Sequence, residues 1–208
     1  MNLPNILTLS RVPMMFVIVG LMYPDKFPDW CRLPGWFPAA SLAFWLFIGG
    51  AISDWLDGYL ARKRGIVSVF GKLMDALTDK IMVIGIMVAL ADQDVIPMIY
   101  VLITLCREFM VSGLRMMAAA KGVVVAADKG GKTKTITQLI AIGFLLAVPM
   151  VGRDWAYLLG SGWDLSPLTE VVQHIGLVGF ILGTFLAVWS GYRYFRMHKD
   201  IVFADANL

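Results

Sequence analysis

Long apolar runs alternate with short polar stretches along the chain, and this pattern predicts a helical membrane protein. A membrane span needs about 20 mostly apolar residues. Six runs approach that length, at residues 5–23, 37–62, 72–91, 96–120, 134–151 and 168–195. The stretches between them are rich in proline and glycine or in charge. We therefore expect an all-α polytopic fold with six transmembrane helices, in a single domain covering residues 1–208.

The composition supports this interpretation. The 208 residues are 59% hydrophobic and 16% charged, whereas a soluble domain carries about 25% charged residues. The net charge is only +3, and the basic residues are spread over several loops, so we expect no nucleic-acid partner. Cys31 and Cys106 are far apart in the sequence, and we predict no structural disulfide.

Basic residues fall mainly on one predicted side of the membrane. They concentrate in the 62–72 loop, in the 115–134 segment and in the tail after residue 193. The opposite side carries only Lys26, Arg32 and Arg153. By the positive-inside rule, both termini and the 62–72 loop face the cytoplasm.

Four aspartates lie where the second and third apolar runs meet. Asp54 and Asp57 are three residues apart, and Asp75 and Asp79 are four apart, so each pair lies on one face of a helix. A helix that ends near residue 64 and another that begins near residue 72 would form a hairpin with both pairs near the same end. A charge inside a membrane costs about 2.5–3.5 kcal/mol on insertion scales, so such acids are usually functional.

The acid group admits more than one interpretation. Clustered carboxylates must be protonated or neutralised by cations, and oxygen ligands without nearby His or Cys favour Mg²⁺, Mn²⁺ or Ca²⁺ over zinc. One alternative is a set of helix-end ion pairs with the neighbouring arginines and lysines. Another is the ion or proton pathway of a small transporter, although the third run has no ionisable residue between Lys80 and Asp92.

A group of basic residues lies in the fourth and fifth runs. Arg107 and Arg115 are eight residues apart and share a helix face, and Lys132 and Lys134 open the next run. If these four cations line one cavity, they would bind an anionic group such as a phosphate. In the alternative interpretation, Glu108 pairs with a neighbouring base and has a structural role.

Two short motifs carry less information. The GGKT sequence at 130–133 resembles the end of a phosphate-binding loop, but Ala126 stands where that motif needs its first glycine, so we reject it. Gly179 and Gly183 form a GxxxG motif, which is typical of helix packing or of a dimer face. Polar residues at the start of the first run, among them Arg11, have the alternative interpretation of a solvated helix end.

The aspartate stretch resembles the signature of the CDP-alcohol phosphotransferase family. It reads Asp54-x2-Asp57-Gly58-x2-Ala61-Arg62-x8-Gly71-x3-Asp75-x3-Asp79. The opening LPNILTLSRVP and the stretch REFMVSGLRMMAAAKGVVVAADKGGKTKTITQ extend the similarity along nearly the whole chain. Two loops, at 24–35 and 152–167, are poorly determined by it. The resemblance implies a six-helix membrane fold, in agreement with the number of apolar runs.

The resemblance also implies roles for individual residues. Metal ligands are expected at Asp54, Asp57, Asp75 and Asp79, with Asp79 also acting as the general base. The cytidine diphosphate group is expected to contact Asn5, Thr8, Gly58, Ala61, Arg62 and Gly71. The acceptor phosphate is expected to contact Arg107, Arg115, Lys132 and Lys134.

The implied reaction transfers a phosphatidyl group from CDP-diacylglycerol to sn-glycerol 3-phosphate with the help of two divalent ions, Mg²⁺ or Mn²⁺. Other acceptors, such as inositol phosphate or phosphatidylglycerol, remain open. We expect the protein to lie in a bacterial inner membrane, in contact with membrane lipid, and to form a homodimer.

Overall fold

The computed structural model describes residues 3–29, 33–64, 69–120, 129–160 and 163–197, and helices make up nearly all of them. The helices are α1 (Leu3–Met22), α2 (Ala39–Arg64), α3 (Val69–Asp92), α4 (Met98–Ala120), α5 (Lys129–Pro149), α6 (Ala156–Leu159) and α7 (Ser166–Met197). A short 3₁₀ turn, Pro24–Lys26, follows α1. Within these ranges the chain contains no strand, so the all-α prediction is confirmed.

The six long helices coincide with the six apolar runs, but several ends differ from the prediction. The helix α3 begins at Val69, three residues earlier than expected, and α5 begins at Lys129, five residues earlier. The five added residues of α5 are lysine, glycine and threonine, so an apolar pattern does not mark them as part of the helix. Residues 130–133 are helical, which agrees with the rejection of a phosphate-binding loop there.

The sequence predicted a loop at residues 152–167, but the first part of this range is helical. Directly after Pro149 the chain forms a π-helical turn, Met150–Trp155, and then the short helix α6. Proline lacks an N–H group and crowds the preceding turn, so the helix widens near this position instead of ending. The proline and glycine residues of this region therefore mark a change from α-helix to π-helix and not the start of a loop.

The core is built mainly from five of the long helices, and α4 contributes Val101. The side chains of Ile18, Phe47, Ile86, Ile142 and Phe180 are almost completely buried, and they come from α1, α2, α3, α5 and α7 in turn. The helix α4 packs mainly against α7 and α3, at the side of this core. Most of the apolar driving force for folding therefore acts between α1, α2, α3, α5 and α7.

Helices α5 and α7 approach each other along a face of small residues. A methyl group added to Gly176 would lie 2.7 Å from Leu145 Cδ2, and one added to Gly183 would lie 2.8 Å from Gln138 Cγ. The same change at Gly179 would bring it within 3.3 Å of Ala141 Cβ. The GxxxG motif thus packs α7 against α5 of the same chain, which is the helix-packing alternative rather than the dimer face.

The surface of the helices suits a lipid environment. Among the described residues, two helical stretches are long and apolar enough to cross a membrane, Gly131–Leu159 and Ser166–Met197, with mean hydropathy 1.9 and 2.0. Shorter apolar stretches are Ser10–Met22 and Ala39–Ser53. Large apolar side chains on α7 face outward, with Phe185 65% and Trp189 59% exposed. Such a surface is typical of a membrane protein.

A small polar network joins the end of α1 to the end of α3, and we call Tyr23, Asp92 and Gln93 the Tyr23 latch. The Tyr23 hydroxyl lies 2.7 Å from Asp92 Oδ2 and 3.1 Å from the Ala89 carbonyl oxygen. The Gln93 amide donates to the carbonyl of Met22, at 2.7 Å. Burial raises the pKa of Tyr23 to about 12, and the hydrogen bond to Asp92 acts in the same direction. The latch fixes the spacing of α1 and α3 at this end of the bundle.

The start of α2 is held by the π-helical turn. The buried carboxylate of Asp154 accepts a hydrogen bond from the backbone N–H of Ser41, at 2.6 Å, and another from Arg153 Nε, at 3.0 Å. The first N–H groups of a helix have no partner within the helix, so a carboxylate placed there stabilises them. The helix that carries Asp54 and Asp57 is therefore anchored at its far end.

Candidate active site

The four aspartates lie on two consecutive helices. Asp54 and Asp57 are in the last three turns of α2, and Asp75 and Asp79 are in the first three turns of α3. The expected end of a helix at Arg64 is confirmed. All four side chains lie outside the part of the chain that the structure describes. Their chemistry, four carboxylates without a sulfur or imidazole donor, fits a hard divalent cation.

The residues expected to hold the nucleotide lie on these two helices and on α1. Asn5 and Thr8 are on α1, and the other four are on α2 and α3. Those four are Gly58, Ala61, Arg62 and Gly71. The side chains of all six lie outside the described residues. On the same helix as Asn5 and Thr8, Arg11 is only 1% exposed, so the solvated-helix-end interpretation is wrong for Arg11.

Two of the four predicted phosphate-binding residues meet at one carboxylate. Glu108 Oε1 lies 2.8 Å from Arg107 Nη1 and 2.5 Å from Lys134 Nζ. The side chains of Arg107, Glu108 and Lys134 are 12%, 14% and 7% exposed. The alternative in which Glu108 pairs with a neighbouring base is therefore observed, and with two bases rather than one. We call Arg107, Glu108, Lys134 and their partner Ser190 the Glu108 cluster.

The guanidinium of Arg107 is also fixed to α7. Its Nε donates to the carbonyl of Ala187, at 3.0 Å, and its Nη2 donates to Ser190 Oγ, at 2.8 Å. A methyl group added to Gly191 would lie 3.0 Å from Arg107 Cγ, so this glycine leaves room for the arginine side chain to lie against α7. Three helices, α4, α5 and α7, thus meet at Arg107 and Glu108.

A serine connects the cluster to α3. Ser112 Oγ donates to the carbonyl of Glu108, at 2.6 Å, and Lys80 Nζ donates to Ser112 Oγ. Lys80 directly follows Asp79 in the sequence. The helix that carries the second acid pair is therefore attached to the helix that carries Arg107 and Glu108.

The other two predicted phosphate-binding residues are exposed. The guanidinium carbon of Arg115 lies 5.5 Å from the centre of the Tyr194 ring, and Arg115 Nε donates to the Tyr194 hydroxyl, at 3.3 Å. Lys132 lies on the exposed side of α5. The four cations therefore divide into a largely buried pair, Arg107 and Lys134, and an exposed pair, Arg115 and Lys132.

A neutral polar layer lies next to the Glu108 cluster between the same three helices. Gln138 donates to Thr104 Oγ1, at 3.2 Å, and Thr104 Oγ1 lies 3.5 Å from Thr184 Oγ1. All three side chains are buried. Sequence reasoning missed this layer and missed Ser190 and Tyr194. Their spacing on α7, with Thr184, Ala187, Ser190 and Tyr194 separated by three or four residues, was the available signal.

Among the described side chains, no group of three or more His, Cys, Asp and Glu residues is placed to hold a metal ion. The predicted acid group lies outside these described side chains. The described part of the site is instead a basic region with one buried acid, and such a region suits an anionic ligand.

The chain matches the family model for CDP-alcohol phosphatidyltransferase over residues 1–189, and it belongs to that family. It is 42% identical over 149 residues to the CDP-diacylglycerol–glycerol-3-phosphate 3-phosphatidyltransferase of Bacillus subtilis, covering 70% of this chain and 76% of the relative. The protein of the same name from Rickettsia typhi is 33% identical over 201 residues, covering 95% and 97%. These matches confirm the family resemblance of the aspartate signature.

A plant relative extends the comparison. The chain is 32% identical over 176 residues to the Arabidopsis thaliana protein named CDP-diacylglycerol–glycerol-3-phosphate 3-phosphatidyltransferase 1, chloroplastic/mitochondrial, covering 78% of this chain and 56% of that protein. Proteins of this family generally depend on a divalent metal. The four carboxylates on α2 and α3 are a donor set of the kind that such an ion prefers.

Proposed function

We propose that the protein transfers the phosphatidyl group from CDP-diacylglycerol to sn-glycerol 3-phosphate and releases CMP. The observation that carries this proposal is the similarity to the Rickettsia protein, which extends over 95% of this chain and 97% of that relative. The buried and exposed cations on α4 and α5 support an acceptor that carries a phosphate.

In the proposed reaction, Asp79 accepts the proton of the acceptor 1-hydroxyl. The hydroxyl oxygen forms a bond to the phosphorus that carries diacylglycerol, and the bond from that phosphorus to the CMP oxygen breaks. CMP leaves with the electron pair of the broken bond. Asp54, Asp57, Asp75 and Asp79 would hold two Mg²⁺ or Mn²⁺ ions, which supply positive charge at the pyrophosphate.

The remaining site residues bind the two substrates. The nucleotide is held by Asn5, Thr8, Gly58, Ala61, Arg62 and Gly71. Arg115 and Lys132 are exposed and would meet the acceptor phosphate first, whereas Arg107 and Lys134 would meet it at the inner end of the pocket. Each basic residue lies on α4 or α5, so the acceptor enters beside helices other than those that carry the aspartates.

We also propose the membrane arrangement that the sequence favours. Six helices span a bacterial inner membrane, with both termini and the active site on the cytoplasmic side. The soluble acceptor then arrives from the cytosol and the lipid donor from the bilayer. The active form is a homodimer, whose contacts lie away from Gly179 and Gly183 because these residues already pack against α5.

The reaction can be tested with purified protein, CDP-diacylglycerol, radiolabelled glycerol 3-phosphate and Mg²⁺. We expect CMP release matched by label in a phospholipid. Inositol phosphate and phosphatidylglycerol as acceptors should give much less CMP. The transporter alternative would be supported by ion flux into liposomes without any CMP release.

The role of Asp79 needs a variant with a matched control on the same helix. Asp79→Asn should nearly abolish turnover and leave the binding of CDP-diacylglycerol largely intact, because the amide cannot accept the proton. Asp92→Asn, at the other end of α3, should keep turnover. If Asp79→Asn instead removes donor binding alone, Asp79 is not the general base.

A further inference from the structure

Glu108 is an acidic residue in a pocket that we assign to an anionic substrate, and its presence there needs an explanation. A carboxylate in such a pocket competes with the substrate phosphate for the same cations. Glu108 nevertheless lies 2.5 Å from Lys134 Nζ and 2.8 Å from Arg107 Nη1, through the same oxygen, Oε1. Two cationic nitrogens that share one oxygen must lie close together, and without the carboxylate they would repel each other.

The orientation of Arg107 leaves part of its guanidinium available. The three contacts of Arg107 use Nε, Nη1 and Nη2, one hydrogen bond from each. A guanidinium has five N–H groups, so each terminal nitrogen retains one N–H beyond these contacts. Two N–H groups on neighbouring nitrogens form the planar fork that binds two phosphate oxygens.

The direction of that fork is set from two sides. On one side, Ala187 and Ser190 of α7 accept from the Nε and Nη2 edge. On the other, Glu108 accepts from Nη1 and ties it to Lys134 of α5. Gly191 allows the side chain to lie against α7, because a methyl group there would come within 3.0 Å of Arg107 Cγ.

We propose that Glu108 is a positioning residue for the acceptor phosphate. It holds the Arg107 guanidinium and the Lys134 ammonium side by side before the acceptor arrives, so that both meet the phosphate in a fixed geometry. The three side chains together carry one excess positive charge, so the site still attracts an anion. This inference rests on the proposed function, since it assumes that the phosphate belongs to the acceptor.

A purely structural role for Glu108 makes a different prediction. If the carboxylate only joins α4 to α5, its loss lowers the amount of folded enzyme and leaves both Michaelis constants unchanged. If it positions the two cations, its loss raises the KM for the acceptor specifically. The two roles therefore separate in the KM values rather than in the total activity.

Glu108→Gln is the first variant, assayed as full-length protein in detergent with lipid. We expect the KM for glycerol 3-phosphate to rise at least tenfold and the KM for CDP-diacylglycerol to change less than twofold. Glu170→Gln, which removes an exposed acid from α7, is the control and should change neither constant. An equal rise in both KM values, or unchanged values with less folded enzyme, would overturn the proposal.

Gly191→Ala tests the same geometry without changing any charge. The added methyl group displaces Arg107, and we expect the KM for glycerol 3-phosphate to rise about threefold to tenfold in the same direction as for Glu108→Gln. Gly113→Ala is the control, because a methyl group there meets nothing within 4 Å. This variant decides the question if Glu108→Gln does not fold.

Calorimetric titration separates failure of this inference from failure of the proposed function. Binding of glycerol 3-phosphate needs no turnover, so the affinities of wild type, Glu108→Gln and Gly191→Ala can be compared directly. Wild-type CMP release with equal affinities in all three would refute the positioning role alone. Wild-type binding that both variants weaken, in the absence of any CMP release, would refute the transfer reaction and retain the anion site.

Discussion

The Tyr23 latch and the Glu108 cluster both join neighbouring helices, but they use different chemistry. The latch connects α1 to α3 through a hydroxyl, an amide, backbone carbonyls and one exposed carboxylate. The Glu108 cluster connects α4, α5 and α7 through three charged side chains that are at most 14% exposed. Both sets of contacts are within hydrogen-bonding distance. Contact distances therefore do not explain why one region uses mainly neutral groups and the other uses charged side chains with little exposure.

The free-energy cost of burying charge does distinguish the two regions. Removing an ion from water costs several kcal/mol, and a buried ion pair is often no more stable than apolar residues of the same size. The latch shows that this protein can join two helices through neutral groups and a single carboxylate that stays exposed to solvent. A cluster of charges with little exposure is therefore better explained by binding an anion than by stability.

Lys134→Met should have the largest effect. It removes one of the two cations that we propose to contact the phosphate, and losing one partner of a charged contact costs about 2–5 kcal/mol. We expect kcat/KM for glycerol 3-phosphate to fall about 100-fold. Folding should persist, because Glu108 keeps its contact with Arg107. Lys26→Met, beside the Tyr23 latch, is the control and should retain activity. A Lys134→Met enzyme with normal kinetics would make the cluster structural.

Tyr23→Phe should lower stability and leave activity nearly unchanged, which is the opposite of the effect expected for Lys134→Met. It removes the hydroxyl that contacts Asp92 and Ala89, and a hydrogen bond of this kind contributes about 1 kcal/mol to stability. We expect the free energy of unfolding to fall by about that amount in a detergent unfolding titration, with turnover unchanged within twofold. Tyr157→Phe, on the exposed side of α6, should change neither. A large loss of turnover in Tyr23→Phe would remove the contrast between the two regions.

Asp94→Gly should stabilise the same end of the bundle slightly. Asp94 follows α3 with a φ of 56°, and the N–H of Val95 donates to the carbonyl of Leu90, at 2.9 Å, as in a helix C-terminal motif that favours glycine. Relief of the left-handed strain should raise the free energy of unfolding by about 0.5–1 kcal/mol. A decrease would show that the carboxylate of Asp94 contributes more than the strain costs.

The latch should also make stability depend on pH, although only in strongly alkaline solution. The pKa of Tyr23 is raised from 10.0 to about 12 in the folded protein, mainly by burial, so folding favours the neutral phenol. Its contribution to stability is complete below pH 10 and is lost as the pH rises through 12. Melting temperatures between pH 9 and 12 should fall more steeply for wild type than for Tyr23→Phe. Parallel curves would contradict the raised pKa.

Much of the fold could be predicted from the sequence because the apolar runs are long. Each of the six runs became a helix, and the helix end expected near Arg64 was found there. The early start of α5 and the π-helical turn could not be predicted, because local signals such as Pro149 do not show how the chain packs afterwards. Tertiary context overrides such local preferences.

The sequence singled out four basic residues as a candidate phosphate site, but it did not show that they divide into two pairs. Arg107 and Lys134 are on different helices, and their shared partner Glu108 became evident only when α4 and α5 were packed together. Helical spacing shows which residues share a face of one helix and does not show what faces them. The roles of the four aspartates rest on the family signature and remain a prediction.

The π-helical turn has a consequence for insertions and deletions. A π-helical turn is an α-helix with one additional residue, and each residue of an α-helix advances the chain by about 100°. Deleting a single residue from 150–153 would restore a regular helix and swing the carboxylate of Asp154 away from the amide of Ser41. A change of chain length in this segment should therefore be more harmful than most substitutions in it, because it rotates every later side chain at once.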